Sequence, residues 1–114
     1  MTPTQLNKRY NKEKAKYLAE IQNDDGSYTC KGCDCNFFAI SIHHIIKRSK
    51  LKYYYADPSN FMELCSSCHR KAEGTVQKQE QLYCYYEMFH IEQKLLQEYY
   101  TLKLYEQTLD FKYG

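Results

Sequence analysis

The sequence predicts an α+β fold in one domain, a cysteine-rich centre of short strands between two helical ends. Three observations predict it. Residues 1–23 and 75–110 carry apolar side chains at helical spacing. Residues 28–46 and NFMEL (60–64) are rich in aromatic and β-branched residues, which favour strands. Cys30-Lys31-Gly32-Cys33 and Cys65-Ser66-Ser67-Cys68 form two C-x-x-C pairs on either side of that centre. A chain of 114 residues buries only a modest core, so a metal staple is physically useful here.

The N-terminal segment, 1–23, begins with helix-start signals. Thr2 can cap, Pro3 suits the first helical position, and Gln5 stands three residues after Thr2 as a capping box requires. Leu6, Tyr10, Tyr17, Leu18 and Ile21 form an apolar stripe opposite the lysines. The helix should stop before the turn-forming Asn23-Asp24-Asp25-Gly26. In the core, 28–74, two short extended stretches flank CKGCDC, and FFAISIHH reads as a strand. A basic, tyrosine-rich loop (47–56) and Asp57-Pro58-Ser59 lead to the second strand, and CSSCHRKAEG reads as a knuckle running into a helix that ends near Gly74.

From Thr75 to Leu109 there is no Gly or Pro, and Met88, Leu95, Leu102 and Leu109 recur every seven residues with Ile91 and Tyr99 filling in. This stripe is expected to pack on the N-terminal helix and the core rather than to form a dimer surface. Tyr99-Tyr100 mark a place where the helix can break, since aromatic residues lower helix preference.

The formal charge of +2 is unevenly divided, with +3 over residues 1–23, +1 over 24–76 and −2 over 77–114. Lys47, Arg48, Lys50 and Lys52 concentrate four positive charges in six residues, a patch that suits either a solvated loop or phosphate groups. MTPTQLNKRYNKEKAKY has no apolar centre of the signal-peptide kind, and the longest apolar run is far too short to span a bilayer. The chain is therefore expected to be cytoplasmic, where paired cysteines are better read as metal ligands than as disulfides.

Two residues between cysteines make a tight turn that points both sulfurs inward, so Cys30, Cys33, Cys65 and Cys68 are candidate ligands of one structural Zn2+. The 31 residues between Cys33 and Cys65 exceed the roughly 15–20 of a simple zinc ribbon, so the loop between the pairs holds something. It holds His43-His44, the basic patch and Asn60. Cys35 could substitute for Cys30 or Cys33, although C-x-C is the less common zinc geometry; Cys84 and His90 are expected to be structural.

The order HHI, then NFMELCSSCH, then a basic pair resembles the HNH nuclease family over about residues 30–74. The resemblance implies a ββα-metal finger, a hairpin with a helix beside it that clasps one divalent ion, with a zinc knuckle and with helices at either flank. Many members carry Asp-His at the first position; the His-His found here is a variant also seen in nuclease colicins, so the first ligand is neutral and Mg2+, Mn2+, Ni2+ and Zn2+ all stay open as the catalytic ion. By position, the resemblance makes His43 and His69 metal ligands, His44 the general base and Asn60 the residue that fixes the loop between the strands. Glu73, four residues after His69, shares its helical face and could complete the ion's shell or pair with Arg70.

Chemistry supports these roles independently. Imidazole can take a proton from water near neutrality, a divalent cation can stabilise the leaving oxygen, and one Asn side chain can tie two backbone groups. Adjacent strand residues point to opposite faces, so the scheme requires the strand to end or bulge at the two histidines. Lys47, Arg48, Lys50 and Lys52, with Arg70 and Lys71, are the expected contacts to DNA phosphates; Tyr53, Tyr54 and Tyr55 either stack on DNA or pack on their own loop. DNA is the expected partner of a monomer or homodimer, and phage or mobile-element proteins are further candidates, since short members of the family occur near phage packaging genes and as homing or restriction enzymes. The competing readings are a zinc-ribbon binding module without catalysis and a scaffold component of a larger assembly.

Overall fold

The computed structural model describes the backbone of residues 1–113 and the side chains of residues 1–109. Helix α1 (Pro3–Ile21) starts as its sequence dictates: Thr2 accepts from the Gln5 N–H at 3.2 Å while the Gln5 side chain accepts from the Thr2 N–H at 2.8 Å. Past α1 the chain turns at Gly26, whose φ of 87° is open only to a residue without a Cβ. Strands β1 (Tyr28–Thr29) and β2 (Asn36–Phe37) then pair antiparallel around the first C-x-x-C.

Strand β3 (Ser41–His44) pairs antiparallel with β4 (Phe61–Leu64), in the register Ser41–Leu64, Ile42–Glu63, His43–Met62 and His44–Phe61. The single strand expected over FFAISIHH is thus two, separated by a bend at Phe38-Ala39. Helix α2 (Ser66–Ala72) follows at once, capped by the Cys65 sulfur, and completes the ββα unit. The short α3 (Val76–Gln79) is capped by Thr75 and followed by a turn, so the C-terminal helix proper, α4, runs from Tyr85 to Tyr113 without a break at Tyr99-Tyr100. Among the described residues no helix is long and apolar enough to cross a membrane.

All four β4 residues are buried because both faces of the hairpin are covered. On the face of Phe61, Glu63 and His44 lies α1, with Tyr17 packed edge-on to Phe61 and its hydroxyl donating to Glu63 Oε1 at 3.0 Å. On the other face Met62 and Leu64 join Cys30, Cys65, Cys68, Ala72, Leu82, Cys84 and Met88 in the main core. Burial pushes the Cys84 thiol up to about 11, as befits an unreactive core residue. A second small core joins Ile46, Tyr54 and Leu95, with the Tyr54 hydroxyl donating to Leu95 O at 2.7 Å.

The seven-residue stripe of α4 is divided by this packing. Met88 and Leu95 are buried at 8% and 4% exposure, whereas Leu102 and Leu109 stand at 37% and extend the long axis of the molecule to 55 Å. Helix α4 therefore docks on the core by its first turns alone, and α1 packs on the hairpin instead. Leu95→Ala should cost about 2–4 kcal/mol by emptying a closed site, while exposed Leu104→Ala should change stability by less than about 0.5 kcal/mol. Denaturant titration of the two variants checks this; equal losses would mean that the outer half of α4 has a partner.

Candidate metal and phosphodiester site

Four sulfurs gather where β1, β2, β4 and α2 meet. The ligand atoms of Cys30, Cys33, Cys65 and Cys68 all lie within 4.8 Å of one another. Tetrahedral zinc, with bonds of about 2.3 Å, sets sulfurs roughly 3.8 Å apart, so the cluster fits the ion with little movement. The donor set fits too: Cys30 Sγ accepts from the N–H groups of Gly32 (3.3 Å) and Cys65 (3.2 Å), and Cys65 Sγ from that of Cys68 (3.5 Å), bonds that favour thiolate. Gly32 is required, because a Cβ there would meet Cys68 Sγ at 2.9 Å. Cys35 is exposed, with its thiol turned to Cys33 O at 3.5 Å, and is not one of the four.

A second cluster lies on the main-core face of the hairpin. His43, from β3, and His69 and Glu73, from α2 and its end, bring one ligand atom each within 4.8 Å of the others, and His69 Nε2 meets Glu73 Oε1 at 3.2 Å. His43 is 5% exposed, and its Nδ1 is buried without a hydrogen-bond partner. Burial, with His69 beside it, pushes the His43 pKa down to about 4, so the ring is neutral and free to ligate. An orphaned nitrogen beside a second imidazole and a carboxylate is the donor set a divalent ion takes up.

His44 stands apart from that cluster. Pairing is regular through His44–Phe61, without a bulge, so its ring projects to the α1 face at the last residue of the strand. There it stacks on Tyr55 (4.8 Å between centroids, 10° between planes), with Tyr10 of α1 at 5.0 Å and Phe61 edge-on at 5.6 Å. His44 Nε2 lies 3.0 Å from Tyr55 O; a carbonyl only accepts, so Nε2 carries the proton and Nδ1 is left as the basic nitrogen. Burial lowers the His44 pKa, the bond to Tyr55 opposes that, and the neighbouring His69 lowers it further.

Asn60, fully buried, accepts from the Ile46 N–H at 2.7 Å and donates to Ile46 O (3.0 Å) and Tyr54 O (3.2 Å), which closes the loop between the strands. The basic residues of that loop do not form one patch. Lys47 and Lys50 border a cleft beside His43, with Lys50 paired to Glu92 of α4 at 2.8 Å. Arg48 lies over the Tyr55 ring at 4.8 Å. Lys52 lines a separate hollow with Arg9, Tyr53 and Asp57, and Arg70 and Lys71 share another with Lys78. Tyr54 is buried and Tyr55 stacks on His44, whereas Tyr53 lies against Tyr54 and Tyr99 but stays half exposed.

Sequence reasoning did not find Tyr10, the orienting Tyr55 carbonyl or Glu92. Tyr10 was visible only as part of the apolar stripe, and no local pattern ties it to a residue 34 positions away. Residues 30–74 match the model of the HNH endonuclease family, a stretch that spans the cysteine cluster, the β3–β4 hairpin and α2 and excludes α1 and α4. No curated protein and no solved structure matches the chain.

Two outcomes follow from this geometry. Purified protein should hold about one tightly bound zinc, and Cys65→Ser should unfold or strongly destabilise it, since structural zinc contributes folding free energy directly; zinc-free protein that stays folded would defeat the four-sulfur site. Asn60→Ala should cost about 3 kcal/mol, because it leaves the buried N–H of Ile46 and two carbonyls without partners. Urea unfolding measures that loss, and a cost below about 1 kcal/mol would mean that the loop closes without the amide.

Proposed function

From the HNH match over residues 30–74 we propose that the chain is a metal-dependent DNA endonuclease that hydrolyses phosphodiester bonds. The observation that carries it is the fixed tautomer of His44 at the end of the strand whose preceding residue, His43, is a buried ligand with an orphaned nitrogen. His43, His69 and Glu73 would hold the divalent cation, which supplies charge stabilisation to the phosphate and the leaving oxygen when bound. The ladder sends the two imidazoles to opposite faces but ends at His44, so a phosphodiester laid across the strand end meets one histidine from each side.

His44 accepts the proton of the attacking water at Nδ1, while Nε2–H stays on Tyr55 O. Tyr10, Tyr55 and Phe61 exclude water from the flat sides of the ring and keep it from swinging out of line. Lys47, exposed beside the His43 cluster, is the nearest cation for the substrate phosphate. Arg48, Lys52, Arg70 and Lys71, spread over several surfaces, would hold neighbouring phosphates without reading sequence, whereas Lys50 is held by Glu92. Product ends of 5′-phosphate and 3′-hydroxyl are what the family resemblance implies.

The binding-module alternative makes no use of a tautomer held on Tyr55 O, and that separates the two. His44→Ala should lose about 10²- to 10⁴-fold in cleavage rate while metal and DNA binding persist. His43→Ala should weaken the ion instead, so that added metal partly restores its rate and leaves His44→Ala unchanged. Plasmid nicking against Mg2+, Mn2+ or Ni2+ concentration, with calorimetry for the ion, decides it; no cleavage with any of these ions would retire the enzyme.

The pH dependence has a definite sign. The His44 pKa is lowered in the folded protein, so the basic form persists at neutrality and is lost only as pH falls below the ordinary imidazole value. The nicking rate should therefore be flat near neutral pH and drop in acid, and a rate that rises in acid would exclude His44 as base.

A further inference from the structure

Beside the His43 cluster opens a cleft of about 240 Å3 that the HNH-matched segment only half encloses. One wall is the strand end and loop, with His43, Ile45, Lys47 and Lys50. The other is α4, which presents Tyr85, Met88, Phe89 and Glu92 from one side, as the spacing i, i+3, i+4, i+7 requires. Phe89 is 50% exposed, so much of its ring is unused by the core. Gln79 lies on the floor with its Nε2 donating to Gly74 O at 3.0 Å, which fixes the amide and leaves its carbonyl oxygen to accept.

We infer that this cleft receives one unpaired nucleobase of the DNA, stacked on Phe89 and Tyr85 with its polar edge toward Gln79 and its phosphate on Lys47. The inference rests on the endonuclease function above and names its substrate class: DNA that is single-stranded or mispaired beside the cut. Size is the first reason. At about 240 Å3 the cleft is below the roughly 300–1,000 Å3 of small-molecule sites, room for one ring system and not for a base pair.

Charge is the second reason. The Lys50–Glu92 pair at 2.8 Å neutralises one end of the cleft, so Lys47 is the cation left beside the ion ligands and the phosphate is directed to that end. Energy is the third. Stacking a base on an aromatic side chain contributes about 1–3 kcal/mol. Extruding a paired base costs a few kcal/mol, least for a mismatched or single-stranded one. Stacking here offsets that cost for an unpaired base and falls short for a fully paired one.

The test uses full-length, zinc-loaded protein without added Mg2+ or Mn2+ and oligonucleotides carrying 2-aminopurine at a single-stranded, mismatched or fully paired position. Binding should quench the fluorophore in the first two and leave the paired one unchanged. Phe89→Ala, at a half-exposed site where folding can be checked by circular dichroism, should remove the quench. It should also weaken binding to unpaired DNA by roughly 5- to 150-fold with no change for duplex, and Phe89→Trp should restore both. Equal quenching of paired and unpaired probes, or an unaltered quench in Phe89→Ala, overturns the inference. Quenching by a protein that cuts nothing once Mg2+ or Mn2+ is added upholds the cleft as a base-binding site and retires the endonuclease. Duplex cleavage as fast as cleavage of mispaired DNA, unaffected by Phe89→Ala, does the reverse.

Discussion

The amide of Asn60 is the constraint on which the rest of the site depends. It sits fully buried before β4 and holds Ile46, fourteen residues earlier, by a bond in each direction. A third bond goes to Tyr54 O, so the segment between the strands is closed at two points rather than one. Several candidate site residues depend on that closure. Lys47 and Arg48 leave the loop directly after Ile46; Tyr55, next to the pinned Tyr54, supplies the carbonyl that orients His44. Tyr54 itself reaches α4 through Leu95 O, so the same closure also sets where the long helix stands. A carboxylate could not do this, since an acceptor-only group would face two carbonyl oxygens.

The hairpin then uses its two-residue period to divide labour. His43 and Met62 face the core with its sulfur cluster, while His44 and Phe61 face α1. Each environment suits its histidine. On the core side, burial keeps the His43 ring dry and neutral and leaves its Nδ1 without a hydrogen-bond partner, which costs about 1–3 kcal/mol. On the α1 side, an aromatic cage and one carbonyl bond hold the His44 ring with one nitrogen free. The strand ends at His44, so both faces are reachable from its end.

What was legible in the sequence was local. The Thr2–Gln5 capping box, the two C-x-x-C turns and the stop at Asn23–Gly26 are all decided by residues within a few positions of each other, and the structure keeps them. The ordered His-His, Asn and Cys-x-x-Cys-His run gave the ββα unit for the same reason, since the spacing of a hairpin and its helix is nearly fixed. Boundaries were less legible: aromatic and β-branched residues run through 37–44, yet the bend at Phe38-Ala39 takes β2 to one sheet and β3 to the other. The basic loop looked like one patch because its charges are adjacent in sequence. Helical turns at 52–54 and 58–60 rotate Lys52 toward Arg9 while Lys47 stays beside His43.

Long-range partners were not legible. Tyr10 meets His44 and Glu92 meets Lys50 across 34 and 42 residues, and neither contact leaves a periodic trace. Both partners lie outside residues 30–74. Helix α1 covers the His44 ring on one face of the hairpin; the first turns of α4 supply the far wall of the cleft on the other. Without α1 the His44 ring would lose Tyr10 and the strand would expose Phe61 and the carboxylate of Glu63; without α4 the cleft beside His43 would lose its far wall. Helices α1 and α4 both reach the turn at 58–60 as well as the hairpin, so the two flanks are joined through the loop that Asn60 closes.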